Sequence, residues 1–212
     1  KDYAMTGWRI GYVIAPKFII ETLKAINENN VFTAPSISQR AALYALKNRK
    51  RIQPPMIKEY KKRGMTTFLV SNGTRPEILE ELDELPTQLY ITLAAPNRKI
   101  FKKLCVPKDD GLWDKVVESL ELLPSLGTRT VVRHTLVKDW NIGWGSEYAD
   151  LLKRAGPDFV EAKGYVFVGD SRRRMTIDNM PSHERIKGFA EKESELLGLD
   201  ILQEKKSSRG VL

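Results

Sequence analysis

Reactive side chains are few in this sequence, and their scarcity narrows the chemistry. There is one cysteine, Cys105, and there are two histidines, His134 and His183. One thiol and two imidazoles make a zinc or iron–sulfur site built by this chain alone improbable, and no disulfide can form within it. No metal ligands are expected. Among the many other polar residues, four groups are weighed as candidates. Asn72-Gly73-Thr74 follows an apolar run and reads as a turn, whose glycine would equally permit close approach of the backbone to another group. Arg133 and Thr135 lie on a β-branched, alternating run, and an internal salt bridge would account for Arg133. Glu161 and Lys163, two apart on a further run, share one face and suit either an ion pair or the lining of a pocket. Ser171-Arg172-Arg173-Arg174 suits phosphate oxygens, with a solvated loop as the plainer alternative. His183 is read as capping or orienting a helix start rather than as a catalyst.

These residues need elements to hold them, and from residue 65 the chain alternates apolar strands with amphipathic helices. Strands are expected at 65–71, 87–96, 128–137 and 158–169. Helices are expected from Pro76 to about residue 83, and at 98–105, 112–126, 146–156 and 181–198. Strands separated by helices make a parallel sheet with right-handed crossovers. Working residues of such sheets gather at the carboxyl ends of the strands. Here those ends are 72–74, 94–96, 138–141 and 169–174. Four such units do not close a barrel. Residues 1–48 read differently: a loop, a short strand from Arg9 to Ala15, a helix from Pro16 and a second helix ending near residue 48. Pro54-Pro55 is expected to interrupt any helix through the basic stretch that follows.

With 212 residues, 42% of them hydrophobic and 29% charged, the chain can bury one full core, which argues against disorder. No run reaches the roughly 18 to 20 apolar residues of a membrane span, and a cytoplasmic location is expected. The net charge of +8 is concentrated: residues 47–63 hold eight Lys and Arg against one acid, Glu59. A broad phosphate-binding face would spread its charge more evenly, so this stretch is read first as a solvated helix or linker.

Two resemblances are carried by particular runs. KDYAMTGWRIGY (1–12) with VFTAPSISQRAAL (31–43) resembles the lysine segment of class I pyridoxal-phosphate aminotransferases. The resemblance implies Lys1 as the Schiff-base lysine and Arg9 as the ligand of the cofactor's phosphate. The acidic partner of the pyridine nitrogen and the ring-stacking residues precede that lysine in the family, so pyridoxal phosphate is not expected to bind here.

The longer runs KKRGMTTFLVSNGTRPEILEEL (61–82), PTQLYITLAAPN (86–97), ESLELLPSLGTRTVVRHTLVKDWN (118–141) and GPDFVEAKGYVFVGDSRRRMTIDNMPSHERI (156–186) resemble the archaeal tRNA 4-demethylwyosine synthases. That family belongs to the radical S-adenosylmethionine (SAM) enzymes. The resemblance implies a partial (β/α) barrel, a [4Fe–4S] cluster, SAM cleavage, tRNA as substrate at its anticodon loop, and pyruvate as the carbon donor. It places Asn72, Gly73, Thr74, Arg133 and Thr135 toward SAM, and Glu161, Lys163, Ser171, Arg172, Arg173 and Arg174 toward the substrates. The family's CxxxCxxC cluster loop is absent. Cys105 lies in a KLCxP stretch of the family and is read as a small buried helix residue. Where the family reads SLDAP, this chain has Thr92-Leu93-Ala94-Ala95-Pro96 and lacks the carboxylate at Ala94.

The expected architecture is therefore α/β: an aminotransferase-like fragment at 1–48, a basic junction at 49–63, and a partial radical SAM barrel with its C-terminal wyosine-forming segment at 64–212. The expected function is that of a fragment of the synthase family without autonomous catalysis. The alternatives are a pyridoxal-phosphate aminotransferase and a non-catalytic tRNA-binding module. Uncovered sheet edges would favour self-association.

Overall fold

The computed structural model describes residues 3–30 and 33–212. The chain divides into two compact units, 1–65 and 66–212. In the first unit, helices α1 (Lys17–Asn30), α2 (Ser36–Lys47) and α3 (Arg49–Lys62) follow a short 3₁₀ turn at Thr6–Trp8. The strand expected from Arg9 to Ala15 does not form: the segment is irregular and runs beside no partner strand, so its backbone has no ladder to join. Pro54 and Pro55 do not interrupt α3 either; both lie inside it. No residue of α3 is buried, so the carbonyls that lose their N–H partners can turn to water.

The second unit is a layer of helices on one side of a six-stranded sheet. Strands β1 (Phe68–Ser71), β2 (Gln88–Thr92), β3 (Arg129–Leu136) and β4 (Phe159–Gly164) are parallel neighbours in that order. Helices α4 (Pro76–Glu80), α5 (Arg98–Cys105), α6 (Leu112–Leu122) and α7 (Gly145–Ala155) connect them, and α8 (His183–Leu197) follows β4. Among the described residues the sheet is open and closes no barrel. A short hairpin completes it: β5 (Glu204–Lys205) and β6 (Gly210–Val211) run antiparallel, giving the order β1-β2-β3-β4-β6-β5. Strands of two residues carry no period, which is why the sequence concealed them.

The core lies between the sheet and the helices. Leu89, Ile91 and Leu93 of the β2 segment, Val132 and Leu136 of β3, Val116 and Leu120 of α6, and Leu152 and Ile186 of α7 and α8 pack there. Gly164 lets α8 come close, because a Cβ at this position would lie 2.7 Å from Ile186 Cδ1. The start of α8 is capped by Ser182, whose Oγ accepts from the Arg185 amide at 3.3 Å. His183 instead reaches the C-terminal hairpin, with Nε2 2.7 Å from Glu204 Oε1, and Lys187 holds the other oxygen at 3.0 Å. Hydrogen bonds from these two side chains hold the Glu204 carboxyl below its ordinary range, that from Lys187 first and that from His183 second.

Candidate functional site

Side chains alternate across the sheet, and its two sides differ in kind. Toward the helices, Leu89, Ile91, Leu93, Val132, His134 and Leu136 are fully buried. Parallel register sets Tyr90 beside Val131, Thr92 beside Arg133, Arg133 beside Glu161 and Thr135 beside Lys163. Period two then places Tyr90, Thr92, Arg133, Thr135, Glu161 and Lys163 together on the other side. All but the aromatic ring are polar and all are half-buried. At the β1 edge of this side, Phe68 is 60% and Val70 55% exposed.

Within this open face Arg133 is the centre. Its Nε donates to Glu161 Oε2 at 2.5 Å, and its guanidinium carbon lies 4.5 Å from the Tyr90 ring centroid. The internal salt bridge expected for Arg133 is present, and its partner is Glu161 across the strands rather than a residue of its own strand. Glu161 therefore does not pair with Lys163. The ammonium of Lys163 has no ion-pair partner among the described residues, and the hydroxyls of Thr92 and Thr135 have no hydrogen-bond partner among them. A half-buried cation with free hydroxyls nearby is suited to an anionic or polar ligand.

The turn after β1 is held from within. Asn72 Oδ1 accepts from the Thr74 amide at 3.2 Å and from the Thr74 hydroxyl at 2.8 Å. Gly73 has φ +69°, and a Cβ there would lie 3.1 Å from Ile91 Cγ2. Its carbonyl accepts from the buried Ser119 hydroxyl at 2.8 Å. The close approach that this glycine permits is thus toward the core.

At the carboxyl ends of β3 and β4, a 3₁₀ turn (Gly169–Arg173) carries the arginine run. Ser171 Oγ lies 2.6 Å from the Tyr165 hydroxyl and donates to the Val168 carbonyl at 2.5 Å. Arg174 Nη1 donates to the Leu104 carbonyl at 3.0 Å, tying this turn to the end of α5. Arg172 lies over the Phe167 ring at 5.4 Å, while Arg173 is exposed and faces Asp170 at 3.7 Å. Two of the four residues therefore build the turn, and two present their charge to solvent.

Cys105 is exposed, contrary to the expectation of a buried residue. The buried side of α5 is Ile100, Phe101 and Leu104, and one further residue turns the side chain by about 100° away from it. Desolvation of the sulfur still pushes its thiol up to about 11, against a smaller opposing pull from Arg174. A lone thiol so far from ionisation does not suit a cluster ligand. Among the described residues no group of three His, Cys, Asp or Glu could hold a metal ion. The side chains of this chain thus do not fit a [4Fe–4S] cluster.

In the first unit Lys1 lies outside the described residues. Arg9 is exposed and does not line the hollow formed by Tyr3, Ile10, Gly11, Tyr12, Ala34 and Arg49. Among the described residues no acid lines that hollow, and none of them offers a partner for a pyridinium nitrogen. These residues do not fit pyridoxal phosphate.

Sequence reasoning missed Tyr90 and Thr92, although the alternation in TQLYITL carried the signal. It placed Asn141 only within the strand end 138–141, without its burial, and it missed the buried Tyr148 and Glu193. Burial, reinforced by the charge of Glu193, pushes the Tyr148 phenol well above its ordinary value.

Comparison with known proteins adds to this geometry. The family model of the Radical SAM superfamily matches residues 7–152, and that for Wyosine base formation matches 154–212. The first match takes in most of residues 1–48, so the aminotransferase-like reading gains no support from it. The S-adenosyl-L-methionine-dependent tRNA 4-demethylwyosine synthase of Pyrococcus horikoshii is 48% identical over 161 residues, covering 74% of this chain and 47% of that protein. The enzyme of the same name from Saccharomyces cerevisiae is 40% identical over 132 residues, covering 60% of this chain and 16% of that protein. The chain thus spans about half the length of its Pyrococcus relative, or less of longer ones. A solved structure of TYW1 with a lysine-pyruvate adduct bound superposes with a TM-score of 0.65 at 25% identity, covering 96% of this chain and 72% of that one. A crystal structure of archaeal TYW1 gives a TM-score of 0.60 at 22% identity, with the same coverage. No helix among the described residues is long and apolar enough to cross a membrane. An open, mostly parallel sheet with a polar inner face, matched by the family model over 7–152, makes the chain a member of the radical SAM superfamily.

Proposed function

We propose that this chain serves tRNA wyosine modification, as the part of a 4-demethylwyosine synthase that receives SAM and faces the RNA. The observation that carries this reading is the open face, where Thr92, Thr135 and Lys163 keep free donors around the Arg133–Glu161 pair. Those groups suit the carboxylate and hydroxyls of a nucleoside linked to an amino acid. Asn72, Gly73 and Thr74 lie at the same end of the sheet and would bound the ligand there. Arg172 and Arg173 are placed to meet RNA phosphates, while Ser171 and Arg174 hold the turn that carries them. Glu161 and Lys163 would line the side from which pyruvate and the tRNA base approach.

A [4Fe–4S] cluster would supply the electron for SAM cleavage, and Cys105, the single thiol in this sequence, cannot hold one. Autonomous SAM cleavage is therefore not expected of it. SAM titrated into the full chain, followed by isothermal calorimetry, tests the reading. Saturable binding that Arg133→Met weakens supports it, and heats no larger than dilution contradict it.

The non-catalytic tRNA-binding alternative shares the same exposed arginines. It is favoured if tRNA binds with a steep salt dependence while SAM does not bind. The exposed edge of β1 is a further proposed contact between copies, and a monomer in size-exclusion chromatography at all concentrations would refute that. The cytoplasm remains the compartment proposed for this chemistry. Pyridoxal-phosphate transamination at Lys1 and Arg9 is not favoured, and no borohydride-trapped cofactor is expected on Lys1.

A further inference from the structure

The ladder between β2 and β3 ends before the chain of β2 does. Thr92 is the last residue of β2, and the Leu93 amide makes the final bond, to the Arg133 carbonyl at 2.9 Å. Beyond it, the carbonyls of Leu93 and Ala94 point into a region where Leu93 and Ala95 are fully buried. Carbonyls left unpaired there would each carry a desolvation cost. Two side chains take them. His134 Nδ1 lies 3.1 Å from the Leu93 oxygen, and Asn141 Nδ2 lies 2.8 Å from the Ala94 oxygen. A carbonyl can only accept, so His134 donates to it through an Nδ1–H. Its Nε2 is then directed at Glu193 Oε1, 3.2 Å away on α8, and the ring rests edge-on against Tyr148 and Phe189.

Asn141 is fully buried and does more than fill one acceptor. The same Nδ2 donates to the Thr135 carbonyl at 2.8 Å, and its Oδ1 accepts from the Val137 amide at 2.6 Å. It thereby joins the end of β2 to the end of β3.

We infer that Asn141 and His134 are positioning residues that stand in for the missing continuation of the ladder and fix the turn Ala94–Pro96 at the rim of the open face. Neither side chain touches that face. Asn141 acts through Ala94 on one side and Thr135 on the other, and His134 acts through Leu93, so that together they hold the chain that leaves β2 beside Thr92 and Arg133. This rests on the reading that the open face receives SAM, but its structural part is tested separately.

Amide hydrogen exchange on the full chain, followed by NMR, provides the test with Asn141→Leu. The amides to follow are Leu93 and Ile100, neither of which is bonded to Asn141; Ile91 and Val132, in the middle of the ladder, are the controls. Leu93 and Ile100 should exchange about tenfold faster, as expected when a hydrogen bond of ordinary net worth is lost nearby. The controls should not change. Unchanged exchange at Leu93 and Ile100, or an equal acceleration at all four amides, would overturn the proposal, the second by reducing Asn141 to general stability. Should Asn141→Leu fail to fold, His134→Gln and His134→Phe decide instead. The glutamine amide can still donate to Leu93 and should preserve slow exchange at its amide, whereas phenylalanine should not. Equal behaviour of the two variants would contradict the inference. SAM affinity should fall about tenfold in Asn141→Leu, in parallel with the exchange. If the unaltered chain binds no SAM, the open-face reading fails, while the exchange pattern still decides whether Asn141 positions the turn.

Discussion

Leu89 and Ile91 of β2, and Leu93 just beyond it, are fully buried, while Tyr90 and Thr92 between them are half-exposed. The same contrast recurs on β3, between Val132, His134 and Leu136 on one side and Arg133 and Thr135 on the other. One side of the sheet is held by burial of apolar area. The other is mixed: Phe68, Val70 and the buried Val131 lie toward one end, and toward the carboxyl ends of the strands the polar residues are ordered by the Arg133–Glu161 pair with its Tyr90 ring. The lesson is a division of labour: the covered side sets stability, and the open side is free to bind. Substitutions on the two sides should therefore separate stability from binding.

The largest effect on stability belongs to the covered side. Ile91→Ala should cost about 2–5 kcal/mol in urea unfolding, because the surrounding helices cannot close fully over the lost volume. Thr92→Ala, its neighbour on the open side, should cost well under half of that; equal losses would erase the distinction between the sides.

Gly73→Ala tests whether the turn after β1 serves the core. A positive φ adds about 1–2 kcal/mol of strain for a residue with a Cβ, and contact with Ile91 adds to it. A loss of stability is expected in thermal unfolding. An alanine variant as stable as the parent would mean that the turn relaxes freely.

Arg133→Met should act in the opposite sense to Ile91→Ala. It leaves Glu161 half-buried without its partner, which costs stability modestly, about 1 kcal/mol, but it should lower SAM affinity at least tenfold. A stability loss as large as that of Ile91→Ala, with SAM affinity unchanged, would make the pair structural.

The smallest effects lie at the periphery. Glu204 has its carboxyl held below the ordinary range by Lys187 and His183. Its contribution is therefore complete above the ordinary carboxylate range and is lost as pH falls through its lowered value. Acid should loosen the hairpin from α8, and Glu204→Gln should abolish that pH dependence in NMR shifts of β5 and β6. Arg173→Ala should leave the fold unchanged and reduce the slope of log tRNA affinity against log salt by about one, as for a single lost phosphate contact.

Much of this division could be read before the fold was seen. The alternation in TRTVVRHTLV marks β3, and the helix at 98–105 has the bounds of α5, closed at its start by Asn97, whose Oδ1 accepts from the Ile100 amide at 3.0 Å. Partnerships between distant segments were less legible. Arg133 and Glu161 become neighbours only through the register of β3 on β4. Asn141 and Ala94 meet only because β2 stops short of β3. Local rules failed where solvent could satisfy the backbone, as at Pro54-Pro55, or where no partner strand existed, as at 9–15.

The first unit sharpens the contrast further. Its α3 buries no residue, and Tyr12 is 71% and Ile14 90% exposed. Among the described residues of this unit Ser38 and Ala45 are the buried ones, which predicts lower protection of its amides from exchange.

The measurement closest to the central claim is an NMR titration of the isotopically labelled chain with SAM at millimolar concentration. Saturable shifts confined to Thr92, Arg133, Thr135, Glu161 and Lys163 are predicted, with Leu89, Val132 and Leu136 unmoved. Shifts that never saturate, or that saturate at a cluster elsewhere in the chain, would contradict the assignment of the open face as the binding face.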